Sequence, residues 1–185
     1  MVIQLLLLMI LMLITGLAEK QPWNTNEGGR GNWRVFTGNE IGSMLGWWAM
    51  ENFNKNYKNF DGSKVHLICS TVSSKLLRSI AKVEGIQFSE TLTGFKWMGN
   101  LSHTLLEKGE EVLFAFEEAI GFMFGTAVLD EDGVSAAAVT GEMAAYFYSN
   151  GQAFSLLLEN IYLKYGQVVS SNSYFICHSK EMIKD

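Results

Sequence analysis

From Val65 onward the apolar positions switch repeatedly between two periods. Val65 to Cys69 is a short continuous apolar run, the pattern of a strand covered on both faces. Val72, Leu76, Ile80 and Val83 follow at helical spacing, and Gly85 closes that stripe. Ile86 to Leu92 returns as a strand, and Trp97, Leu101 and Leu105 mark a helix that Gly109 ends. Val112 to Phe116 is a second fully apolar strand. Val134 to Tyr148 is an alanine-rich helix broken by Asn150-Gly151, and Phe154, Leu157, Leu158 and Ile161 carry another that ends near Gly166. Gln167 to Cys177 reads as a last strand, and Ser179 to Asp185 as the opening of a further helix. Strands alternating with helices of this length predict an α/β fold, with a mostly parallel sheet flanked by helices.

Upstream, Thr37-Gly38-Asn39-Glu40 is a capping box, and Ile41, Met44, Leu45 and Trp48 give the helix it opens a buried stripe. Asn24 to Asn32, rich in Gly and Asn, reads as a loop between strands. Asn54 to Lys64 is polar and reads as the link to the main domain, expected over residues 65–178. Val2 to Ile14 is apolar except for Gln4 and is shorter than the roughly 20 residues that span a bilayer. Gly16 and Ala18 behind it suit a signal peptide, but no Lys or Arg precedes it.

Composition narrows the class. The 185 residues are 48% hydrophobic with a net charge of −5, which is a globular rather than a disordered balance. No basic cluster supports nucleic-acid binding. Cys69 and Cys177 each end an apolar run and read as buried, reduced thiols. His66, His103 and His178 lack metal-ligand spacing.

The chemistry is concentrated at the end of the Val112–Phe116 strand, where Glu117 and Glu118 precede a short turn toward Gly121. Ligands of open α/β sheets bind beyond the carboxyl ends of the strands. Paired carboxylates are pure acceptors and suit a ligand rich in hydroxyl donors, such as a sugar. A solvated acidic loop has the same composition.

Five stretches decide between these readings: Trp33 to Gly42, Ser70-Thr71-Val72-Ser73-Ser74-Lys75, Glu90 to Asn100, Phe114 to Gly121, and Leu129-Asp130-Glu131-Asp132-Gly133-Val134-Ser135-Ala136. Together they resemble the alpha-D-phosphohexomutase superfamily, in its phosphoglucomutase-2/phosphopentomutase branch, which includes glucose-1,6-bisphosphate synthase. The resemblance runs from about Leu17 to the C-terminus. It implies a fragment: residues 17–60 as the end of the family's second domain, 65–178 as its α/β/α third domain, and 179–185 as the start of the next element. It also implies an intramolecular phosphotransferase acting on phosphorylated hexoses or pentoses. The parent enzyme would use Mg2+ and a sugar bisphosphate, would be monomeric and cytoplasmic, and would need no membrane.

The family's phosphoserine segment, its Asp-x-Asp-x-Asp magnesium loop and its Arg-x-Ser-Gly-Thr phosphate loop are not found here. No catalytic residue, metal ligand or cofactor is therefore expected in this chain alone. Asp130-Glu131-Asp132-Gly133 looks like the family's turn after the sugar loop rather than its metal loop. Glu117 matches the sugar-binding glutamate and Glu118 its neighbour. Ala119 falls where many members have a serine. Thr93, Gly94 and Lys96 match a loop facing the cleft, where Lys96 suits either a phosphate, as a point charge, or a solvated position at a helix start. Leu8 to Ile14 can be encoded so that a one-nucleotide shift reads Ala-Asn-Asp-Pro-Asp-Ala-Asp, the family's metal loop. The apolar start at residues 1–16 is thus expected to be a frame-shifted metal loop or a signal-like leader. Two other products share the composition: a non-catalytic sugar-phosphate-binding module, and a secreted protein glycosylated at Asn100-Leu101-Ser102.

Overall fold

The computed structural model describes residues 5–10, 13–21, 32–171, 176, 178 and 179. Its larger sheet contains β4 (Val65–Ser70), β5 (Gln87–Thr91), β6 (Glu111–Glu117) and β7 (Gly121–Phe124), in the order β5-β4-β6-β7. β4 runs parallel to both β5 and β6, whereas β7 folds back antiparallel to β6. The sheet is thus mostly parallel, as expected, with an antiparallel edge that the sequence pattern did not reveal. Gly-Phe-Met-Phe is too short a run to separate from its turn by periodicity.

Helices cover both faces. α3 (Phe95–Glu107) packs on one face, where Ile68, Val112, Ala115 and Met123 meet Phe95, Met98 and Leu105. The opposite face carries α1 (Gly38–Asn56), α2 (Leu76–Glu84), α4 (Gly133–Ser149) and α5 (Phe154–Tyr165). Their apolar stripes share one cluster with Leu67, Cys69, Phe114, Phe116 and Phe122. Phe114 and Phe116 both face this cluster, and a bulge at Leu113 shifts the β4–β6 register just before them.

The expected link at Asn54–Lys64 does not divide the core. α1 lies on β6, and Ile41, Met44, Leu45 and Trp48 are buried among sheet residues. Its capping box is formed: Glu40 N–H donates to Thr37 Oγ1 at 3.2 Å, and Thr37 N–H donates to Glu40 Oε2 at 2.8 Å. The approach is close because α1 turns Gly38, Gly42 and Gly46 toward the sheet. A β-carbon on Gly42 would overlap the Phe116 ring, and one on Gly38 would overlap the Glu118 carbonyl oxygen.

The helix boundaries depart from the pattern in two places. α2 begins at Leu76, so Val72 precedes it, and Val83 is exposed. The buried stripe uses Leu77 and Ala81 instead, next to Leu76 and Ile80. Trp97 is 54% exposed; Phe95 and Met98 carry the buried side of α3. Residues 167–171 form no strand, and residues 172–175, 177 and 180–185 of the expected last strand and helix, Cys177 included, lie outside the described residues.

The apolar start is part of the fold over its described residues. β1 (Leu5–Ile10), β2 (Leu13–Lys20) and β3 (Trp33–Phe36) make an antiparallel sheet in that order. A continuous apolar run is equally compatible with a leader and with a strand, so periodicity could not separate the two. The loop expected at Asn24–Asn32 falls, except for Asn32, outside the described residues.

A buried carboxylate ties β2 to the helices. Glu19 is fully buried, and Phe154 N–H, Ser155 N–H and Tyr148 O–H donate to it at 2.6, 3.0 and 2.9 Å. Ala153 leaves α5 without a side-chain cap of its own, so Glu19 supplies that cap from another element, where the helix dipole favours an anion. Burial, followed by the Glu19 charge, pushes the Tyr148 hydroxyl far above the usual phenol range. No helix among the described residues is long and apolar enough to cross a membrane.

Glu19→Ala strands three donors in the interior. It is expected to cost about 2–4 kcal/mol in denaturant unfolding. A loss below about 0.5 kcal/mol would show that β2 is not held through this carboxylate.

Candidate functional site

The parallel strands β4, β5 and β6 end at the same edge of the sheet, at Ser70, Thr91 and Glu117. The loops that leave this edge are stitched together. Thr71 N–H donates to the Thr91 carbonyl at 2.8 Å. Lys75 Nζ donates to the carbonyls of Ser70 and Thr71 at 3.0 and 2.9 Å and pairs with Glu90 at 3.4 Å. Arg78 pairs with the same carboxylate.

Glu117 and Glu118 are adjacent in sequence but differ in setting. The Glu117 carboxylate accepts the Gly94 N–H at 3.1 Å, which joins it to the loop that opens α3. The Glu118 carboxylate accepts from Ser73 Oγ at 3.0 Å and Ser70 Oγ at 3.3 Å, and the Glu118 N–H donates back to Ser73 Oγ at 2.9 Å. Both serines are buried, and their hydroxyls lie 2.6 Å apart. Ala119 is exposed at the tip of the turn.

Ile120 completes this turn with φ 66°, a left-handed conformation that is an outlier for a β-branched residue. Such strain costs on the order of 1–3 kcal/mol and persists only where the surroundings over-determine it. Here Ile120 packs against the main core, and the Glu118 carbonyl rests on Gly38. The turn is therefore held from below by α1 and from the side by the Ser70–Ser73 loop.

Beside Glu117 lies an open depression of about 350 Å³, lined by Gly94, Phe95, Lys96, Trp97, Asp130 and Glu131. Gly94, with φ 100°, needs the conformational freedom of glycine to turn the chain into α3. Thr93 and Lys96 are exposed beside it. Among the described residues Lys96 has no ion-pair partner, in contrast to Lys75 and Arg78. Gly121 leaves the space in which Glu131, Phe95 and Glu117 converge. Burial, then the Glu117 and Asp130 charges, hold the Glu131 carboxyl above its ordinary pKa.

The structure thus brings Gly94 and Lys96 to one opening, ties the Glu117 carboxylate to it through the Gly94 N–H, and bonds the Glu118 carboxylate to a serine pair. Sequence reasoning missed Ser70, Ser73, Trp97 and Glu131 as parts of this site. Small hydroxyl residues at a strand's carboxyl end were the available signal for the serines. The exposure of Trp97 had none, because it occupies an apolar-looking helix position.

These residues do not fit a magnesium ion. Asp132 is committed to capping α4, accepting from the Val134 and Ser135 N–H groups at 2.9 and 3.2 Å, and Asp130 accepts the Glu131 N–H at 2.9 Å. Among the described residues no group of three His, Cys, Asp or Glu side chains could hold a metal. Cys69 is a free buried thiol, pushed up to about 11 mainly by burial. Ser102 of the Asn100-Leu101-Ser102 sequon is fully buried in α3 and donates to the Met98 carbonyl at 2.8 Å.

The chain is similar to known proteins. Residues 37–165 match the family described as phosphoglucomutase/phosphomannomutase, alpha/beta/alpha domain III. The human phosphopentomutase is 51% identical over 170 residues, which cover 90% of this chain and 26% of that protein. The human glucose 1,6-bisphosphate synthase is 50% identical over 155 residues, covering 83% of this chain and 25% of that protein. The open-form crystal structure of parafusin (phosphoglucomutase) from Paramecium superposes with a TM-score of 0.53 at 21% identity, over 75% of this chain and 22% of the other, a likeness of fold alone. The chain thus spans about a quarter of the length of the curated relatives it matches. With its matched region extending from the α1 cap to the end of α5, the chain belongs to the phosphoglucomutase/phosphomannomutase family and carries that family's α/β/α third domain.

Proposed function

We propose that this chain supplies the sugar-gripping part of a mutase that moves a phosphoryl group between C1 and the terminal carbon of a hexose or pentose. The observation that carries the reading is the Glu117 carboxylate at the carboxyl end of β6, bonded to the N–H of Gly94, which lines the depression that Lys96 borders. Glu117 accepts hydrogen bonds from sugar hydroxyls, and the unpaired Lys96 ammonium attracts the phosphate. Phosphoryl transfer depends mainly on positioning and electrostatic stabilisation, so a rigid hydroxyl grip bears directly on rate. Ala119, exposed at the tip of the turn, leaves out a hydroxyl and favours pentose phosphates. The parent enzyme is cytoplasmic and monomeric. Its phosphoserine, its magnesium ligands and its second phosphate grip lie in segments other than those described here, and a sugar bisphosphate charges the serine.

Three outcomes test this reading. The 185-residue chain alone is expected to give no turnover in coupled assays with glucose 1-phosphate or ribose 1-phosphate; activity well above background contradicts the division of labour. In a full-length chain carrying this segment, Glu117→Gln is expected to lower kcat/KM roughly 10- to 100-fold, the equivalent of a charge-assisted hydrogen bond of about 1.5–3 kcal/mol. Ala119→Ser is expected to shift preference toward hexose phosphate. Unchanged kinetics for Glu117→Gln on both substrates makes the glutamates a solvated loop.

A separate outcome concerns pH. Because the folded state raises the Glu131 pKa, the stability it contributes is present at low pH and is lost as pH rises through the folded pKa. Glu131→Gln should therefore raise Tm at pH 7, with the gain vanishing below about pH 4. The reverse trend would show that burial and the neighbouring Glu117 and Asp130 charges do not penalise the ionised Glu131.

A further inference from the structure

The residues of the Ser70–Lys75 loop are not among those lining the depression, yet the Ser70 and Ser73 hydroxyls are buried at the base of the glutamate turn. Ser73 Oγ makes two bonds to one residue, donating to the Glu118 carboxylate at 3.0 Å and accepting the Glu118 N–H at 2.9 Å. Ser70 Oγ adds a third contact, 3.3 Å from the same carboxylate oxygen and 2.6 Å from Ser73 Oγ. The loop itself is fixed at both ends. Lys75 Nζ gathers the Ser70 and Thr71 carbonyls, and Asn39 Oδ1, from the first turn of α1, accepts the Ser74 N–H at 2.7 Å.

From this geometry we infer that Ser73, with Ser70 behind it, is a positioning residue of the sugar grip, acting through Glu118, which is itself a pin and not a ligand. This rests on the proposed role of Glu117. Two neighbouring carboxylates facing one opening would repel each other and offer the ligand two alternative grips. The serine pair draws the second carboxylate inward and neutralises its hydrogen-bonding demand. The peptide that follows Glu117 is then fixed through its own N–H. Glu117 is left as the only one of the two that faces the Gly94 loop, bonded at 3.1 Å to Gly94 N–H. The strained φ of Ile120, two residues on, is held in place by the same pin together with Gly38. A serine is required rather than an alanine or valine because one buried oxygen must both donate and accept.

The test uses the 185-residue chain and ribose 5-phosphate as the probe. NMR gives the Kd and the backbone order parameters of residues 117–120 for the unmutated chain, Ser73→Ala, Glu117→Gln and the double variant. Ser73→Ala is expected to lower these order parameters from about 0.85 to below roughly 0.6. It is expected to weaken probe binding roughly fivefold to twentyfold, as a misplaced contact does. In the Ser73→Ala background Glu117→Gln should then have little further effect, although the two residues share no contact; a purely structural serine would lower Tm and leave the Glu117→Gln effect intact. A loosened turn with no effect of Glu117→Gln on binding in the unmutated chain overturns the sugar-site reading and leaves the pin standing. Weaker binding in Glu117→Gln, with order parameters and binding unchanged in Ser73→Ala, overturns the pin alone.

Discussion

The close approach of α1 to β6 is the constraint on which the site depends. Three glycines, one helical turn apart, let the helix sit directly on the Phe114 and Phe116 rings and bring its first turn against the Glu118 carbonyl. Interiors are packed at crystal-like density, so a helix seated this closely has no freedom to slide. The end of β6 inherits that rigidity. From there the turn passes through a strained Ile120 and returns as β7, so the loop that displays Glu117 is anchored at both ends.

Polar groups then sort the two carboxylates. Glu117 is bonded to a backbone amide at the mouth, and Glu118 to hydroxyls beneath it. The same device appears elsewhere in the fold, where Glu19 answers the unsatisfied N–H groups of α5. Both are buried or half-buried anions satisfied by several donors, the condition under which such groups are tolerated in an interior. One ties β2 to the helices, and the other shapes the ligand opening. The charge pattern of the opening follows: Lys96 is its uncommitted cation among the described residues, and it shares the lining with Asp130 and Glu131.

Much of this was legible in the sequence because it rests on local periodicity. The strands β4 and β6, the capping box of Thr37 and Glu40, and the alanine-rich α4 follow from runs and spacings that tertiary structure does not alter. The position of Glu117 at a strand's carboxyl end was readable for the same reason. The features that were not legible are long-range. Nothing local indicates that α1 belongs to the sheet's core, since its glycines acquire meaning only opposite Phe114 and Phe116. Nothing local separates Glu118 from Glu117, because the serines that do so stand 45 and 48 residues away in sequence. β7 was missed because four residues are too few to show a period, and the apolar start because a leader and a strand share one composition.

The central claim is that the glutamate turn is built as a rigid extension of the core. Amide hydrogen exchange at Glu118 tests it most directly, since that N–H bonds to a buried serine hydroxyl and to no strand partner. Protection close to that of the β6 amides of Phe114 and Ala115 is the expected result. Exchange at the rate of an exposed loop would contradict the account, because the carboxylate that carries the proposed function would then stand on a mobile segment.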